Sequence, residues 1–519
     1  MIRTAVAGSR WQARLAGFSR PRRMFLTALL GAIAALGQAP VDLWPLTILG
    51  LAGVHFIAMQ DSRARDVALT WWAGGAGYFA LALSWIVEPF LVDLARHGWM
   101  APFGLVLTAG GMALFWGMGG ALARRVVRGS GSGFAVATVI SLTLAGVVRG
   151  VIFTGFPWAL PGHALIGTPA LQLAQFGGAM GLSLIVLTLA VCLPLILSPF
   201  VRRRALLGLP LWLAAAAAPL LIGAALIPPE SASTGRPVVR LVQPNVPQTE
   251  KWDREKAPGH FQRMLDLTAA PGEPDLIVWP ETAVPAWLND IDGLLPVISD
   301  AAKGRPLVFG INRAERGRVY NSLAVLHDQA GITEVYDKHH LVPFGEFMPL
   351  GDLLGRIGIR GIAQRDGYGF TPGPGPRLID LPGIGASLPL ICYEGVFPRN
   401  ISAAPARPEL LLLITNDAWF GTISGPYQHL AQARLRAVEQ GLPMVRVANT
   451  GISALITPAG RLRGRIDLGQ PGFSDVALPA ALPPTLYARV GDGPLIVALL
   501  AALLLLIPLN RRPMFRQGR

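Results

Sequence analysis

Apolar stretches close to the length a helix needs to cross a membrane recur along this chain, and they constrain its fold more than any other feature. A hydrocarbon layer of ~30 Å takes roughly 17–25 helical residues. Such stretches lie near 24–39, 42–59, 67–88, 98–122, 133–154, 174–199 and 205–228, with an eighth near 494–509. The first two are short and separated only by "APVD", which predicts a tight helical hairpin. A basic stretch before an apolar run also fits a secretory signal peptide, but no convincing small-residue cleavage site precedes the second stretch. Of 519 residues, 52% are hydrophobic and only 15% charged, a balance that fits a membrane protein carrying a soluble part.

The net charge of +14 raises the question of nucleic-acid binding, and the placement of the arginines answers it. They sit in short runs between apolar stretches, which suits anionic headgroups rather than a DNA groove. Arg20, Arg22 and Arg23 precede the first stretch. Arg63 and Arg65 follow the second, Arg124, Arg125 and Arg128 the fourth, Arg202 to Arg204 the sixth, and Arg511 and Arg512 the eighth. Every alternate loop is basic, and basic loops stay on the cytoplasmic side. The expected topology therefore has both termini in the cytoplasm and the long segment from about 229 to 493 outside it, in the periplasm if the membrane is a bacterial inner membrane. The expected domains are 1–228, a membrane domain with seven helices; 229–490, a soluble catalytic domain; and 491–519, a last transmembrane helix with a cytoplasmic tail. Arg149, in "VVRGVIFTGFPW", has two readings: a buried guanidinium with a polar partner, or one that snorkels to the outer interface beside Trp158 as a belt residue.

From Pro237 onward the pattern changes to short Val, Ile and Leu runs broken by Gly, Pro and Asp. "VVRLVQPNV", "DLIVWPE", "PLVFGINR", "SLAVLHD", "SLPLICYE", "LLLLITND" and "PMVRVANTG" read as strands, several buried on both faces. Phe261 to Leu267 and Gln428 to Gln440 read as helices, so the segment is an α/β layered domain. Polar residues gather at strand ends, where open α/β sheets present their chemistry. Glu281 ends one run, Cys392 and Glu394 another, Asn416 and Asp417 a third, while Lys338 and Glu346 share "YDKHHLVPFGE".

A carboxylate, an ammonium and a thiol together make a complete acyl-transfer set: base, oxyanion partner and nucleophile. Each has an ordinary alternative. A lone cysteine after an apolar run is commonly core, Glu281 fits a helix cap and Lys338 a surface ion pair. The scarcity of lysine counts against the last of these. Only Lys251, Lys256, Lys303 and Lys338 occur, in a chain that otherwise carries its positive charge on arginine. Cys192 lies inside an apolar stretch away from Cys392, so both are expected as free thiols.

The motifs "WPETAVP", "YDKHHLVPFGEFMP", "ICYEGVFP" and "TNDAWFG", followed by "QHLAQARLRAVEQGLPMVRVANTGIS", resemble those of the apolipoprotein N-acyltransferases, membrane members of the nitrilase superfamily. The similarity extends to "RGVIFTGFPW" and "LVQPNVPQTEKWD" and so covers nearly the whole chain. The resemblance implies a multi-pass α-helical membrane domain plus an α/β nitrilase-like αββα sandwich, with Glu281, Lys338 and Cys392 as a catalytic triad. It implies supporting roles for Glu346, Tyr393 and Glu394, and substrate-binding roles for Trp252, Arg149 and Trp419. It also implies acyl transfer from a phospholipid, preferably phosphatidylethanolamine, through a cysteine thioester to the amine of a diacylated apolipoprotein, with no cofactor, metal or nucleic acid involved. A membrane-tethered amidohydrolase with the same triad is the alternative from the same fold, and a transporter or scaffold with an inactive soluble domain the alternative from another class. The Gly- and Pro-rich run Gly367 to Arg377 reads either as a mobile element or as a rigid connector.

Overall fold

A computed structural model describes residues 18–129, 131–197, 202–229, 235–327, 331–349 and 369–509, apart from the side chains of 202–207 and 508–509. Arg511, Arg512, the side chains of Arg202 to Arg204, and Gly367 and Tyr368 lie outside the described residues. Two compact units emerge, one within Met1–Ser84, Pro102–Ile227 and Val490–Arg519, the other within Trp85–Ala101 and Pro228–Arg489.

In the first unit each apolar stretch is helical: α1 Arg20–Ala35, α2 Trp44–Ala58, α3 Ala64–Ala82, α4 Ala101–Val126, α5 Ser132–Arg149, α6 Ala174–Ile196 and α7 Arg202–Leu226, with a last helix at Gly493–Leu509. Their lengths differ from the expected eight full spans. Among the described residues, Leu94–Val126, Ser132–Arg149, Pro169–Ile196 and Gly208–Leu226 are long and apolar enough to cross a membrane, and α3 with Ser84–Leu91, bent by 64°, is a fifth if the pair counts as one span. The helices α1, α2 and Gly493–Leu509 have 16, 15 and 17 residues. At 1.5 Å per residue these reach only about 22–26 Å. Pro40 stands in the connection between α1 and α2, and Pro45 occupies the first turn of α2, where its missing N–H costs nothing.

Small residues let α1 and α3 approach closely, the usual basis of helix packing in lipid. A methyl group at Gly31 would sit 1.8 Å from the Gly74 carbonyl oxygen, and one at Gly77 would sit 1.8 Å from that of Ala28. Arg23 pairs with Asp61 at 2.5 Å, and Thr70 donates to the same carboxylate at 2.7 Å. Arg149 does not snorkel. It is 2% exposed, donates from Nη1 to the Trp158 carbonyl at 2.7 Å and lies 4.9 Å over the Phe79 ring. Trp158 is buried too, so it is a packing residue rather than a belt residue.

The second unit has two six-stranded sheets. The strands of the first are β1 Val238–Gln243, β2 Leu276–Val278, β3 Leu307–Glu315, β4 Arg318–Leu326 and β5 Ile332–Asp337. Those of the second are β6 Ile379–Leu381, β7 Gly385–Ile391, β8 Leu410–Thr415, β9 Met444–Ala448, β10 Ser453–Ile456 and β11 Leu462–Ile466. The last strand, β12 Gly472–Ala477, returns to pair antiparallel with β1, giving the orders β12-β1-β2-β3-β4-β5 and β11-β10-β9-β8-β7-β6.

The double-faced burial read from the apolar runs has a direct cause in the layering. Leu410, Leu412 and Ile414 of β8 point into a core shared with Val239, Leu276, Val308 and Leu323 of the other sheet. Leu411 and Leu413 point the other way, into a core closed by residues of the helix Gly425–Gln440. Outside the first sheet, Ile277, Phe309 and Ile311 pack with Met264 and Leu265 of the helix Ala257–Ala269 and Ile298 of the helix Leu295–Ala302. The order of layers is helix, sheet, sheet, helix.

Candidate active site

The parallel strands β2, β7 and β8 end on one edge of the sandwich, and β5 ends beside them. This brings the groups that follow them together. Glu281 follows β2 through "WP", Lys338 follows β5, Cys392 follows β7, and Asn416 follows β8. None of the first three is a surface group: Glu281, Lys338 and Cys392 are 5%, 1% and 6% exposed.

Lys338 Nζ lies 2.8 Å from Glu346 Oε1 and 3.6 Å from Glu281 Oε1. Each carboxylate is fixed on its other side. Glu281 Oε1 accepts from Asn321 Nδ2 at 2.7 Å and Oε2 from the Asn416 backbone N–H at 2.7 Å. Glu346 Oε2 accepts from the Val342 N–H at 2.8 Å, and Oε1 from Asn321 Nδ2 at 3.2 Å. Burial alone would lower the basicity of Lys338, but Glu346 and Glu281 outweigh it and push the pKa up, so the side chain remains an ammonium. The Cys392 thiol is pushed up by burial and then by the Glu281 carboxylate, with Lys338 and a Thr415 hydrogen bond pulling the other way. Cys392 therefore rests as a thiol, and it could act as a nucleophile only if a base took its proton.

Cys392 opens a short 3-10 turn, Cys392–Val396, with φ at 52°. Left-handed backbone costs a non-glycine residue about 1–2 kcal/mol, so neighbouring contacts must hold it. Glu394 supplies several. Fully buried, it accepts from Ile391 N at 2.8 Å, His339 N at 2.7 Å, His340 N at 3.1 Å and Tyr336 Oη at 3.1 Å, and its Oε1 is 2.6 Å from His339 Nδ1. Burial would raise its pKa, but the His339 charge and the backbone donors hold it low. Glu394 therefore fastens the strand end before Cys392 to the backbone just after Lys338. Tyr393 packs edge-on against Phe397 at 4.8 Å and His340 at 5.5 Å.

Of the remaining candidates, Trp252 is 45% exposed and Trp419 is half-buried in the turn Asp417–Phe420. Arg149 belongs to the first unit. Several site residues were not singled out from the sequence. Lys251, 8% exposed, donates from Nζ to the Glu281 carbonyl at 3.2 Å, and burial draws its pKa down to about 8 against the opposing pull of Glu281 and Cys392. Asn321 joins both carboxylates from mid-strand, and Asn449, Asn416 and Gln248 form a chain of bonds at 2.9 and 2.8 Å. The lysine count could have pointed to Lys251; nothing local marks Asn321. Cys192 and Cys392 are both free thiols. Among the described residues, no group of three or more His, Cys, Asp or Glu is placed to hold a metal ion.

Two family models match this chain. The apolipoprotein N-acyltransferase N-terminal domain matches residues 30–192, and the carbon-nitrogen hydrolase model matches residues 238–482. An apolipoprotein N-acyltransferase of Rhodopseudomonas palustris is 36% identical over 520 residues, covering 95% of this chain and 96% of the relative. One from Bradyrhizobium diazoefficiens is also 36% identical over 520 residues, covering 95% of each. A solved CN-hydrolase superfamily protein from Xanthomonas campestris is 19% identical, with a TM-score of 0.36, over 51% of this chain and 97% of its own.

Proposed function

This chain belongs to the apolipoprotein N-acyltransferase family and is an acyltransferase, and from that premise we propose that it moves an acyl chain from a phospholipid, phosphatidylethanolamine, to the N-terminal amine of an S-diacylglyceryl-cysteine apolipoprotein through a thioester on Cys392. The observation that carries the reading is the buried ammonium of Lys338, 2.8 Å from Glu346 and 3.6 Å from Glu281, in the same electrostatic neighbourhood as the Cys392 thiol.

In the first half-reaction, Cys392 Sγ attacks the donor ester carbonyl while Glu281 takes the thiol proton. Lys338 stabilises the oxyanion that forms. Collapse breaks the ester bond, and the departing lyso-phospholipid oxygen takes the proton from Glu281. In the second half-reaction, the neutral acceptor amine attacks the thioester, Glu281 takes a proton from nitrogen, and the Cys392 sulfur leaves and regains that proton. Glu346 holds Lys338 in place and helps keep it charged. The two ties on Glu281, from Asn321 and the Asn416 N–H, leave its carboxylate oriented before any substrate arrives.

Incubating the purified full chain in detergent with phosphatidylethanolamine and a synthetic diacylated lipopeptide tests the reading. A gain of one acyl mass on the lipopeptide is expected. Release of free fatty acid with an unchanged lipopeptide would refute it in favour of hydrolysis.

A further inference from the structure

Behind the nucleophile lies a second polar cluster that the chemistry above does not use. Asp417, His429 and Arg446 are each 0–1% exposed. Asp417 Oδ2 accepts from Arg446 Nη2 at 2.5 Å, and Oδ1 accepts from Thr415 Oγ1 at 2.9 Å and lies 2.9 Å from His429 Nδ1. The other ring nitrogen, Nε2, lies 3.3 Å from the backbone carbonyl oxygen of Cys392. Each of these two distances joins a ring nitrogen to an oxygen acceptor, which fixes the imidazole in plane. Its ring meets Phe420 edge-on at 5.6 Å, and Phe420 meets Trp85 edge-on at 5.0 Å. Trp85 opens the stretch Trp85–Ala101, which joins two apolar helices in sequence but belongs to the catalytic unit.

We propose that His429 is a positioning residue for acyl transfer. Its Nε2–H holds the Cys392 carbonyl and keeps the nucleophile in its left-handed turn, while Asp417 and Arg446 orient the ring and the Trp85–Phe420 pair backs it. The proposal rests on Cys392 being the nucleophile. It gives the connection between α3 and α4 a role in the site, because the first ring of that connection reaches Cys392 through two side chains. Glu394 fixes the backbone before Cys392 from one side; His429 fixes the carbonyl after it from the other.

Two substitutions separate positioning from simple filling of space. Glutamine places its amide nitrogen where Nε2 stands and keeps the bond to Cys392, whereas asparagine places its own near Nδ1 and loses that bond. Full chains in detergent are compared by the rate of Cys392 alkylation with iodoacetamide, by kcat and KM with phosphatidylethanolamine and a diacylated lipopeptide, and by thermal midpoint. His429→Asn should lower both alkylation and kcat by roughly tenfold or more with KM within about twofold, and His429→Gln should stay within about threefold of the parent. Trp85→Ala should slow alkylation about threefold in the parent and not at all in His429→Asn, as two steps of one route require. Should His429→Asn fail to fold, Phe420→Leu serves instead, with slowed alkylation and an unchanged thermal midpoint expected. Asparagine and glutamine variants that behave alike, or undiminished alkylation in Phe420→Leu, would overturn the proposal. If alkylation separates the variants but the parent transfers no acyl group, the acyl-transfer reading falls while His429 still positions the Cys392 thiol; if transfer persists without separation, the reverse holds.

Discussion

At the scale of single residues, the site depends on charge kept out of water and held by short, directed bonds. Lys338 is an ammonium because two carboxylates overcome its burial, with Nζ 2.8 Å from one and 3.6 Å from the other. Lys338→Arg keeps the charge but replaces a compact cation with a longer planar fork, so acyl-transfer kcat should fall roughly a hundredfold, close to the loss in Lys338→Met. Near-parent turnover in the arginine variant would show that charge alone suffices. Lys251 is the contrasting case, with burial drawing its pKa from 10.5 to about 8. Below the folded value the charged form is buried at a cost. Between pH 8 and 10.5 the folded state has lost a proton the unfolded state retains, so stability rises with pH in that window. Relative to Lys251→Met, the parent should gain about 3 kcal/mol over it, read from paired thermal midpoints. A constant difference would refute the assignment. That Glu281, Lys338 and Cys392 stand at strand ends was legible in the sequence, where lysine and cysteine are rare. Asn321 was not, since a mid-strand asparagine signals nothing until folding turns it toward two carboxylates.

At the scale of elements, backbone packing sets where these side chains stand. Gly310 of β3 lies against the turn that carries Glu281: a methyl there would sit 2.3 Å from Thr282 N and 2.6 Å from Glu281 Cα. Gly310 N donates to the Pro280 carbonyl, and its own carbonyl accepts from Ala283 N at 2.7 Å. Gly310→Ala should therefore displace Glu281 and lower kcat by about tenfold to a hundredfold, with the soluble unit still folded by circular dichroism. Unchanged kcat would mean that the turn yields without moving the base. The strands with continuous apolar runs were legible because both faces are buried. The strands β5, β11 and β12 were harder to see, being partly exposed, and β11 and β12 include glycine. The helix that carries His429 was expected over Gln428 to Gln440 and begins three residues earlier, at Gly425, with Pro426 in its first turn. The two short helices α1 and α2 read as spans from hydropathy alone, yet Pro45 restarts the helix at Trp44 and limits its length.

Across the whole molecule, four or five membrane-length helices among the described residues, with shorter apolar ones, accompany an α/β unit whose buried polar residues gather at strand ends. The arginine pattern argues that this unit lies outside the cytoplasm. In intact spheroplasts, with the native cysteines replaced, an impermeant thiol reagent should label Asp292→Cys and spare Ser62→Cys. Equal labelling of both would invert or abolish that topology. The central claim is that Cys392 carries the acyl group between donor and acceptor. The purified chain, incubated with phosphatidylethanolamine and no acceptor, is to be digested and the Cys392 peptide weighed before and after neutral hydroxylamine. The account predicts one acyl mass on that peptide, removed by hydroxylamine, with lyso-phospholipid released in equal amount and both signals lost in Cys392→Ala and Glu281→Gln. Acyl transfer that requires donor and acceptor together and leaves Cys392 unmodified, or a thioester that persists in Cys392→Ala, would contradict it.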